Sequence, residues 1–279
     1  MINSNGTLTE HEQISINNRG YRYGDALFET IKVIGTKFLF WEDHYFRLMA
    51  SMRILRMEIP MSFTMEYLEQ QILDTIHANG LETANCKIRL LVHRNEGGMY
   101  RPETNSIGFV ITVEALDNAH YLLTEDAYEV DLFKDFYVSA DLLSTLKTNN
   151  KVLNVVGSIY AHENDLDNCL ILNNDKHVVE ALNGNIFLLK DQVLKTPPLT
   201  DGCLKGIMRK QVMDIVKTMP ELTLMEDSVS PFELQKSDEL FITNVIQGIK
   251  PVTKYRKKTF GIDLSRALLA KLNARIRLD

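Results

Sequence analysis

Residues 144–161, STLKTNNKVLNVVGSIYA, join a polar loop to an apolar helix, and Lys147 lies at the junction. The apolar side chains between Val152 and Tyr160 recur at helical spacing. A lysine at such a junction can point into a cleft, where burial lowers the pKa of its amine and favours a Schiff base. For one lysine taken alone, a solvated surface position is more common than a catalytic one. The choice between the two therefore depends on the segments on either side.

The segments that follow this helix alternate between short strands and helices. Apolar, β-branched runs predict strands at residues 168–172, 178–180, 186–189, 193–195 and 240–243. Helices are predicted at residues 207–219, directly after Gly206, and at residues 264–276. This alternation is typical of α/β proteins.

The segments that precede Lys147 form a separate group. Strands are predicted at residues 27–34 and 37–41, around a hairpin turn at Gly35-Thr36, and buried strands at residues 87–92 and 107–113. Amphipathic helices are predicted at residues 42–57 and 64–78, the second with Thr64 as its N-cap.

The alternation of apolar and polar residues that predicts helices and strands weakens near residues 116–126, and we place a domain boundary there. We therefore expect a two-domain α/β (α+β) protein. Residues 1–117 would form a small N-terminal domain, 118–127 a linker, and 128–279 a larger domain that carries Lys147.

The composition excludes several classes of protein. The 279-residue chain is 24% charged, as globular proteins are, and its net charge of −6 argues against nucleic acid or an anionic membrane as the main partner. Cys86, Cys169 and Cys203 are far apart and the histidines lack metal-ligand spacing, so we expect neither disulfides nor a metal site. A polar N-terminal stretch, without an apolar run of about 18 residues, predicts a cytoplasmic protein.

Two charged side chains are candidates for chemistry. Glu180 ends a short strand beside the turn Asn183-Gly184-Asn185, where a carboxylate can act as a general acid or base or simply belong to the turn. Arg47 lies beside the apolar stripe of the helix at 42–57. Its guanidinium could bind a phosphate through two hydrogen bonds or could make an ordinary salt bridge.

Three further segments suit the binding of anions. Gly206 precedes a helix, and the amides of a helix N-terminus bind phosphate. Thr243 and Asn244 end a strand before a turn with several potential donors. The turn HRNEGGMYRPE, at 93–103, could bind a substrate carboxylate through His93, Arg94, Tyr100 and Arg101. Each segment alone is also typical of an ordinary polar loop.

Taken in order, these segments resemble the fold-type IV pyridoxal phosphate (PLP) enzymes, the class IV aminotransferase family. RGYRYGDALFET, at 19–30, resembles the family motif R-G-x-x-x-G-D-x-x-F/Y-E, and HYFRL, at 44–48, resembles its H-x-x-R-L helix. The later segments LKTNNKVLNVVGSIYA, EALNGNIF, LKGIMRKQV and ITNVIQGIKPV follow in the family's order. The resemblance spans about residues 17–252.

The resemblance implies that Lys147 binds PLP covalently, Glu180 faces the pyridine nitrogen and Arg47 binds the phosphate. The full cofactor-binding set that it implies is Lys147, Arg47, Glu180, Leu204, Ile207, Met208, Thr243 and Asn244. The substrate-binding set is Phe28, His93, Tyr100 and Arg101. Met208 replaces the usual threonine of the family, which removes a hydroxyl but leaves the backbone amide.

The resemblance implies a ping-pong aminotransferase that acts on an amino acid, with branched-chain amino acids among the options, and a 2-keto acid. An alternative is an aminodeoxychorismate lyase, which eliminates pyruvate to give 4-aminobenzoate, and which segments 97–102 and 243–252 resemble. A non-catalytic binding protein on the same fold is a third option, against which the presence of Lys147, Glu180 and Arg47 argues. Family members are usually homodimers, so we expect a homodimer.

Overall fold

The computed structural model describes residues 1–11 and 13–278. Its contacts divide the chain into two compact units, Met1–Ala119 with Lys147–Asn150, and His120–Leu146 with Lys151–Asp279. We expected Lys147 to belong to the second domain, but the four residues from Lys147 to Asn150 group with the first unit. The linker and domain limits drawn from the sequence stay a prediction.

The helices of the first unit are α1 (Arg19–Tyr23), α2 (Trp41–Ile54) and α3 (Met65–Ala78). Its strands are β1 (Ile2–Ser4), β2 (Thr7–Thr9), β3 (Ala26–Ile34), β4 (Lys37–Phe38), β5 (Asn85–Arg94) and β6 (Ile107–Leu116). The helices of the second unit are α4 (Val152–Glu163), α5 (Ile207–Val216), α6 (Pro231–Lys236) and α7 (Asp263–Leu278).

The strands of the second unit are β7 (Glu129–Val138), β8 (Asn168–Asn173), β9 (Val178–Ala181), β10 (Asn185–Lys190), β11 (Val193–Thr196), β12 (Thr223–Glu226), β13 (Glu239–Asn244), β14 (Gly248–Val252), β15 (Lys254–Tyr255) and β16 (Lys258–Thr259). No helix within residues 1–11 and 13–278 is both long enough and apolar enough to span a membrane.

Strand β3 organises the first unit. The strands form an antiparallel sheet in the order β2-β1-β6-β5-β3-β4. Successive side chains of a strand point to opposite faces. One face packs on α2 and α3, and there the register pairs Leu27 with Val92, Glu29 with Leu90 and Ile31 with Ile88. The other face carries the pairs Ala26–His93, Phe28–Leu91, Thr30–Arg89 and Lys32–Lys87.

Several predicted boundaries in this unit were wrong. The strand predicted at 37–41 ends at Phe38, because the chain turns at Phe40 (φ 56°) and α2 begins at Trp41 with acidic residues in its first turn. The same helix was expected to reach Met57. It ends at Ile54, because Arg56 takes a positive φ of 56° that a helix does not allow. The predicted N-cap of α3 is confirmed, since the Thr64 side chain accepts from Tyr67 N.

The second unit contains two sheets, with strand orders β12-β11-β10-β13-β14 and β16-β15-β7-β8-β9. Their buried aliphatic residues form one apolar cluster with Tyr255. Helix α5 ends at Val216 rather than at the predicted Met219. Strand β7 was not predicted, because charged residues interrupt its alternation and its pairing with β8 shifts register between Phe133 and Val138.

A cluster of buried charges holds one loop of the first unit. Asp25 Oδ2 accepts hydrogen bonds from Arg19 Nε and Arg94 Nε, both at 2.9 Å. The Arg19 guanidinium also donates to the carbonyls of Gly97, Met99 and Tyr100 at 3.0, 2.6 and 3.2 Å. One carboxylate therefore orients two arginines, and one of these fixes the backbone of the 97–100 loop.

Replacing Asp25 should destabilise the first unit strongly. In Asp25→Ala, two buried guanidiniums lose their counter-charge, and we expect the free energy of unfolding to fall by about 3 to 5 kcal/mol. Urea denaturation at pH 7 measures the change. Glu125→Ala is the control, because Glu125 and its partner Arg266 are both exposed and such a pair contributes about 1 kcal/mol or less. Equal effects of the two substitutions would contradict a structural role for the cluster.

Candidate active site

The segment 147–150 pairs with the beginning of β3. Phe28 N donates to Lys147 O at 2.9 Å, and Asn149 N donates to Ala26 O at 3.0 Å. These two bonds enclose an antiparallel bridge between Leu27 and Thr148. The backbone of Lys147 is therefore fixed as if it belonged to a short extra strand, although its polar sequence contains no strand signal.

The pairing brings the Lys147 amine to the Phe28 side chain. Lys147 Nζ lies 4.4 Å from the centroid of the Phe28 ring, and the Arg89 guanidinium carbon lies 4.0 Å from the same centroid. Both distances are typical of cation–π contacts. Phe28 itself is buried. One aromatic ring of β3 thus contacts both the candidate Schiff-base lysine and an arginine of β5.

The face of the sheet around Phe28 is rich in cations. Lys32 is buried there, and burial lowers its pKa to about 8. Burial also lowers the pKa of Arg89, against the opposing effect of Glu114. Lys87 on the same face pairs with Glu114 at 2.7 Å. Lys32 is buried, Lys87 is half-buried and Arg89 is exposed, and a group of cations of this kind suits the binding of carboxylates through charge-assisted hydrogen bonds.

On the opposite face of β3, Glu29 binds two side chains of α2. Its carboxylate accepts from Arg47 Nε at 2.8 Å and from Arg47 Nη2, and it accepts from His44 Nδ1 at 2.7 Å. Burial raises the pKa of Glu29, but Arg47 and His44 outweigh burial and bring the pKa to about 2. Burial lowers the pKa of His44, so we assign it as neutral with the proton on Nδ1.

This arrangement qualifies the role predicted for Arg47. The guanidinium of Arg47 donates two hydrogen bonds to Glu29, so those two N–H groups are engaged within the protein. Phosphate binding by Arg47 stays a prediction. Glu29 and His44 belong to the quoted motifs, but sequence reasoning assigned no role to either, because only the register of β3 shows that they meet.

Glu180 lies in β9 of the second unit, and its carboxylate is oriented by backbone. Leu204 N donates to Glu180 Oε2 at 2.9 Å. Lys151, the residue just before α4, is near enough to interact electrostatically with Glu180. Burial lowers the pKa of Lys151, and the Glu180 charge partly opposes this. Sequence reasoning missed Lys151, which its position in a polar loop did not distinguish.

The start of α5 offers backbone donors to a ligand. No side chain caps the first turn after Gly206, which begins with Ile207 and Met208. A Cβ on Gly206 would lie only 1.9 Å from Asn185 Oδ1, so glycine is required by the close approach of Asn185. Asn185 is itself fixed, since its Nδ2 donates to Leu204 O at 2.9 Å. A helix N-terminus with uncapped amides is a site for phosphate.

Thr243 and Asn244 end β13, which pairs with β10, the strand that begins at Asn185. Thr243 Oγ1 is buried and has no hydrogen-bond partner among residues 1–11 and 13–278. Buried hydroxyls are normally hydrogen-bonded, so this one is expected to bind a ligand. Asn244 is already engaged, because its Oδ1 accepts from the amides of Ile246 and Gln247 at 3.1 and 2.9 Å. Of the two residues, Thr243 is the one with a buried polar atom that lacks a partner among residues 1–11 and 13–278.

These features fit PLP, the cofactor that the resemblance implies. Within the second unit, the unpaired Thr243 hydroxyl and the uncapped amides of Ile207 and Met208 could hold its phosphate. Glu180 provides a carboxylate for a protonated pyridine nitrogen. Within the first unit, Lys147 provides an amine on a fixed backbone. No group of three or more potential metal ligands occurs in the described chain.

The residues predicted to bind the substrate do not all lie together. His93 lies on the Phe28 face of the sheet, where its Nδ1 lies 3.3 Å from Asn18 Nδ2. Tyr100 is 85% exposed and Arg101 is exposed, at the tip of the loop whose carbonyls Arg19 holds. Within the first unit, Phe28 and His93 therefore share a face, and Tyr100 and Arg101 project into solvent. Substrate binding by these residues stays a prediction.

Comparison with known proteins supports one family. The family model of class IV aminotransferases matches residues 26–255. A protein of Methanocaldococcus jannaschii assigned as a branched-chain-amino-acid aminotransferase is 30% identical over 251 residues, 89% of this chain and 85% of that protein. The aminodeoxychorismate lyase of Vibrio harveyi is 25% identical over 276 residues, 96% of this chain and 98% of that protein.

A solved structure is similar over the whole length. The branched-chain aminotransferase of the thermophilic archaeon Thermoproteus uzoniensis, determined with norvaline, has a TM-score of 0.88 and 22% identity. The match covers 99% of this chain and 94% of that one. It shows that the fold is shared.

Removing the charge of Glu29 should cost stability in a pH-dependent way. The pKa of Glu29 is about 2 in the folded protein against an ordinary 4.5, so its ionised form stabilises the fold above about pH 4.5. In Glu29→Gln we expect the free energy of unfolding at pH 7 to fall by about 3 kcal/mol. As the pH falls from about 4.5 towards 2 the wild type loses this contribution, and the two proteins converge.

Urea unfolding of both proteins at several pH values between about 7 and 2 tests this expectation. Glu114→Gln is the control, because that carboxylate is exposed. A difference between wild type and Glu29→Gln that stays constant down to about pH 2 would show that the charge of Glu29 is not what stabilises the fold.

The Thr243 hydroxyl should matter for the cofactor and not for the fold. In Thr243→Val we expect the cofactor-free protein to be as stable as wild type or more stable, because a buried, unpaired hydroxyl is removed. The dissociation constant for PLP should rise about tenfold, as for one lost hydrogen bond to a charged group. Titration with PLP, followed by absorbance, measures it.

Thr196→Val is the matched control. The Thr196 hydroxyl is also buried, but it donates to Ile186 O at 2.8 Å. Its removal should lower the free energy of unfolding by about 1 kcal/mol and leave PLP affinity unchanged. An unchanged PLP affinity in Thr243→Val would instead remove Thr243 from the phosphate site.

Proposed function

Because this chain belongs to the class IV aminotransferase family, whose enzymes use PLP, we propose that it transfers an amino group between an amino acid and a 2-keto acid. The observation that carries the proposal is the shared ring of Phe28, which contacts the Lys147 amine at 4.4 Å and the Arg89 guanidinium at 4.0 Å. Amino acids and keto acids bring a carboxylate next to their reacting carbon. A cation beside the reactive amine matches that requirement.

When bound, PLP supplies an electron sink that stabilises the negative charge developing on the substrate Cα. Lys147 would hold the cofactor covalently through its amine and, once that amine is released, would act as the base and then the acid that moves a proton at the substrate Cα. Glu180 would keep the pyridine nitrogen protonated. The first-turn amides of α5 and the Thr243 hydroxyl would hold the phosphate, and Arg47 would add a cation.

The same face suggests a substrate class. Phe28 and Leu91 are paired apolar residues between the cations of β3 and β5. Such a face would accept an apolar side chain together with a carboxylate. Branched-chain amino acids are therefore the first substrates to test, in keeping with the relative from Methanocaldococcus jannaschii.

Aminodeoxychorismate lyase is the second candidate, favoured by the match to the enzyme of Vibrio harveyi over 96% of this chain. The lyase would use Lys147, Glu180 and the phosphate site in the same way, and a substrate with two carboxylates would also suit Lys32 and Arg89. The two candidates differ in their need for an acceptor. Release of pyruvate from aminodeoxychorismate, without any keto acid present, would identify the lyase.

We further propose a cytoplasmic homodimer. Cys86, Cys169 and Cys203 are free thiols buried in the protein, as in proteins of reducing compartments. The first unit exposes large apolar side chains, among them Tyr21, Met61 and Met99, which suit contact with a partner.

Lys147→Arg should separate the charge of Lys147 from its chemistry. The guanidinium keeps a cation near Phe28 but does not form the covalent bond to PLP, so the visible absorbance band of lysine-bound PLP should be lost. Transamination should fall about 10⁴-fold or more, whether assayed with L-glutamate, L-leucine or D-alanine. Lys134→Arg, at an exposed lysine, is the control. Substantial transamination by Lys147→Arg would exclude Lys147 as the catalytic amine.

A further inference from the structure

A second groove lies within the second unit. It has a volume of about 540 Å³ and is lined by residues of β7, β8 and α6 and of the turns before β9 and β16. Among the described residues that line it, none is assigned to the cofactor or to the substrate. Its volume is in the range of about 300 to 1,000 Å³ that is typical of sites for small molecules.

The groove combines an apolar floor with two exposed aromatic rings. Leu132 and Leu172 line it and are buried. Tyr137 and Phe232 also line it, and they are 40% and 79% exposed. Exposed rings beside buried leucines offer a flat apolar surface on which the ring of a ligand can pack.

The exposed ring of Phe232 is held on a fixed backbone. Phe232 N donates to Ser230 Oγ at 3.3 Å, and Ser230 N donates to Glu233 Oε1 at 2.8 Å, so a capping box begins α6. Leu234 anchors the same helix in the apolar cluster of the second unit. The position of the ring at the groove is therefore set by the fold.

Two basic residues of the groove occupy strained backbone positions. Lys176 has a φ of 64° in the turn between β8 and β9. Arg256 has a φ of 56° as the first residue of the two-residue turn between β15 and β16. A positive φ favours glycine and costs free energy for a residue with a Cβ. A long basic side chain at such a position points to a function for that side chain.

The charge of the groove is positive. Lys134, Lys176 and Arg256 line it together with one carboxylate, that of Asp175, among the residues that the structure describes. Arg256 Nε also lies 3.3 Å from Asp131 Oδ1, but both side chains are more than a third exposed, so water weakens this pair. In a chain with a net charge of −6, such a groove attracts anions locally.

We propose that this groove binds a small aromatic anion, a molecule in which a flat ring carries a carboxylate or a phosphate. The ring would pack against Tyr137 and Phe232. The anionic group would accept charge-assisted hydrogen bonds from Lys176 and Arg256. Binding there is independent of the proposed amino-group transfer, because the residues used for that reaction do not line the groove.

Isothermal titration calorimetry of the PLP-loaded protein tests the proposal with two probes. Indole-3-acetate carries a carboxylate and adenosine 5′-monophosphate carries a phosphate, and indole and adenosine are their neutral counterparts. We expect at least one anion to bind with a Kd of about 1 mM or below, and its neutral counterpart to bind about tenfold more weakly. The anion that binds more tightly identifies the anionic group of the ligand.

Three variants locate the bound probe. Lys176→Gly and Arg256→Gly remove one cation each and relieve the backbone strain, so both should fold and should bind the probe about tenfold more weakly. Phe232→Ser removes an exposed ring and should also weaken binding. Arg56→Gly is the matched control, because Arg56 is an exposed arginine with the same φ of 56° outside the groove. Its Kd should equal that of wild type.

Failure of both anions to bind would overturn the proposal. A Kd that all three groove variants leave unchanged would overturn it too, because the probe would then bind elsewhere. Circular dichroism checks folding, and if one variant fails to fold, the other two give the same test. A protein that binds the probe in the groove but does not transaminate would overturn the proposed function alone, and the reverse result would overturn the groove alone.

Discussion

The backbone pairing of residues 147–150 with β3 is the constraint on which the candidate site depends. Since neighbouring side chains of a strand point to opposite faces, β3 directs Phe28 towards the Lys147 amine and Glu29 towards α2. One strand thereby fixes the amine and, through Glu29, the helix that carries Arg47. A shift of the register by one residue would exchange the two faces and disconnect both.

The charged side chains on the two faces of the sheet are stabilised to different extents. On the helix face, Glu29 binds Arg47 and His44 closely enough to hold its pKa at about 2 despite complete burial. On the other face, burial lowers the pKa of Lys32 and, against an opposing effect of Glu114, the pKa of Arg89. The first arrangement stabilises the fold by itself. The second leaves its cations less favoured in their charged form.

The regular elements could be predicted from sequence because their signals are local. Helix α3 shows helical periodicity and a Thr64 cap, and β3 is a continuous apolar run. What could not be predicted depends on tertiary register. The polar segment 147–150 lacks the alternation of apolar and polar residues that predicts a strand. In β7 this alternation is interrupted by charged residues at a bulge.

In the candidate site, too, some features follow from local sequence motifs and others depend on the tertiary structure. The family motifs predict Lys147, Glu180 and Arg47 as site residues. No local signal predicts that Glu29 accepts two hydrogen bonds from Arg47, or that Arg89 and Lys147 contact the same ring. The unpaired Thr243 hydroxyl and the contact of Gly206 with Asn185 likewise appear only once β10, β13 and α5 are assembled.

The burial of the three cysteines has a practical consequence. Burial raises the pKa of all three thiols. The pKa of Cys169 rises to about 11 and that of Cys203 to about 12, with burial as the largest cause in each case. Thiol reagents attack the thiolate, which these groups scarcely form at neutral pH. A fluorophore can thus be attached selectively to one engineered surface cysteine of the otherwise native chain. Alkylation of the native thiols requires unfolding, so its rate reports how fast the protein unfolds.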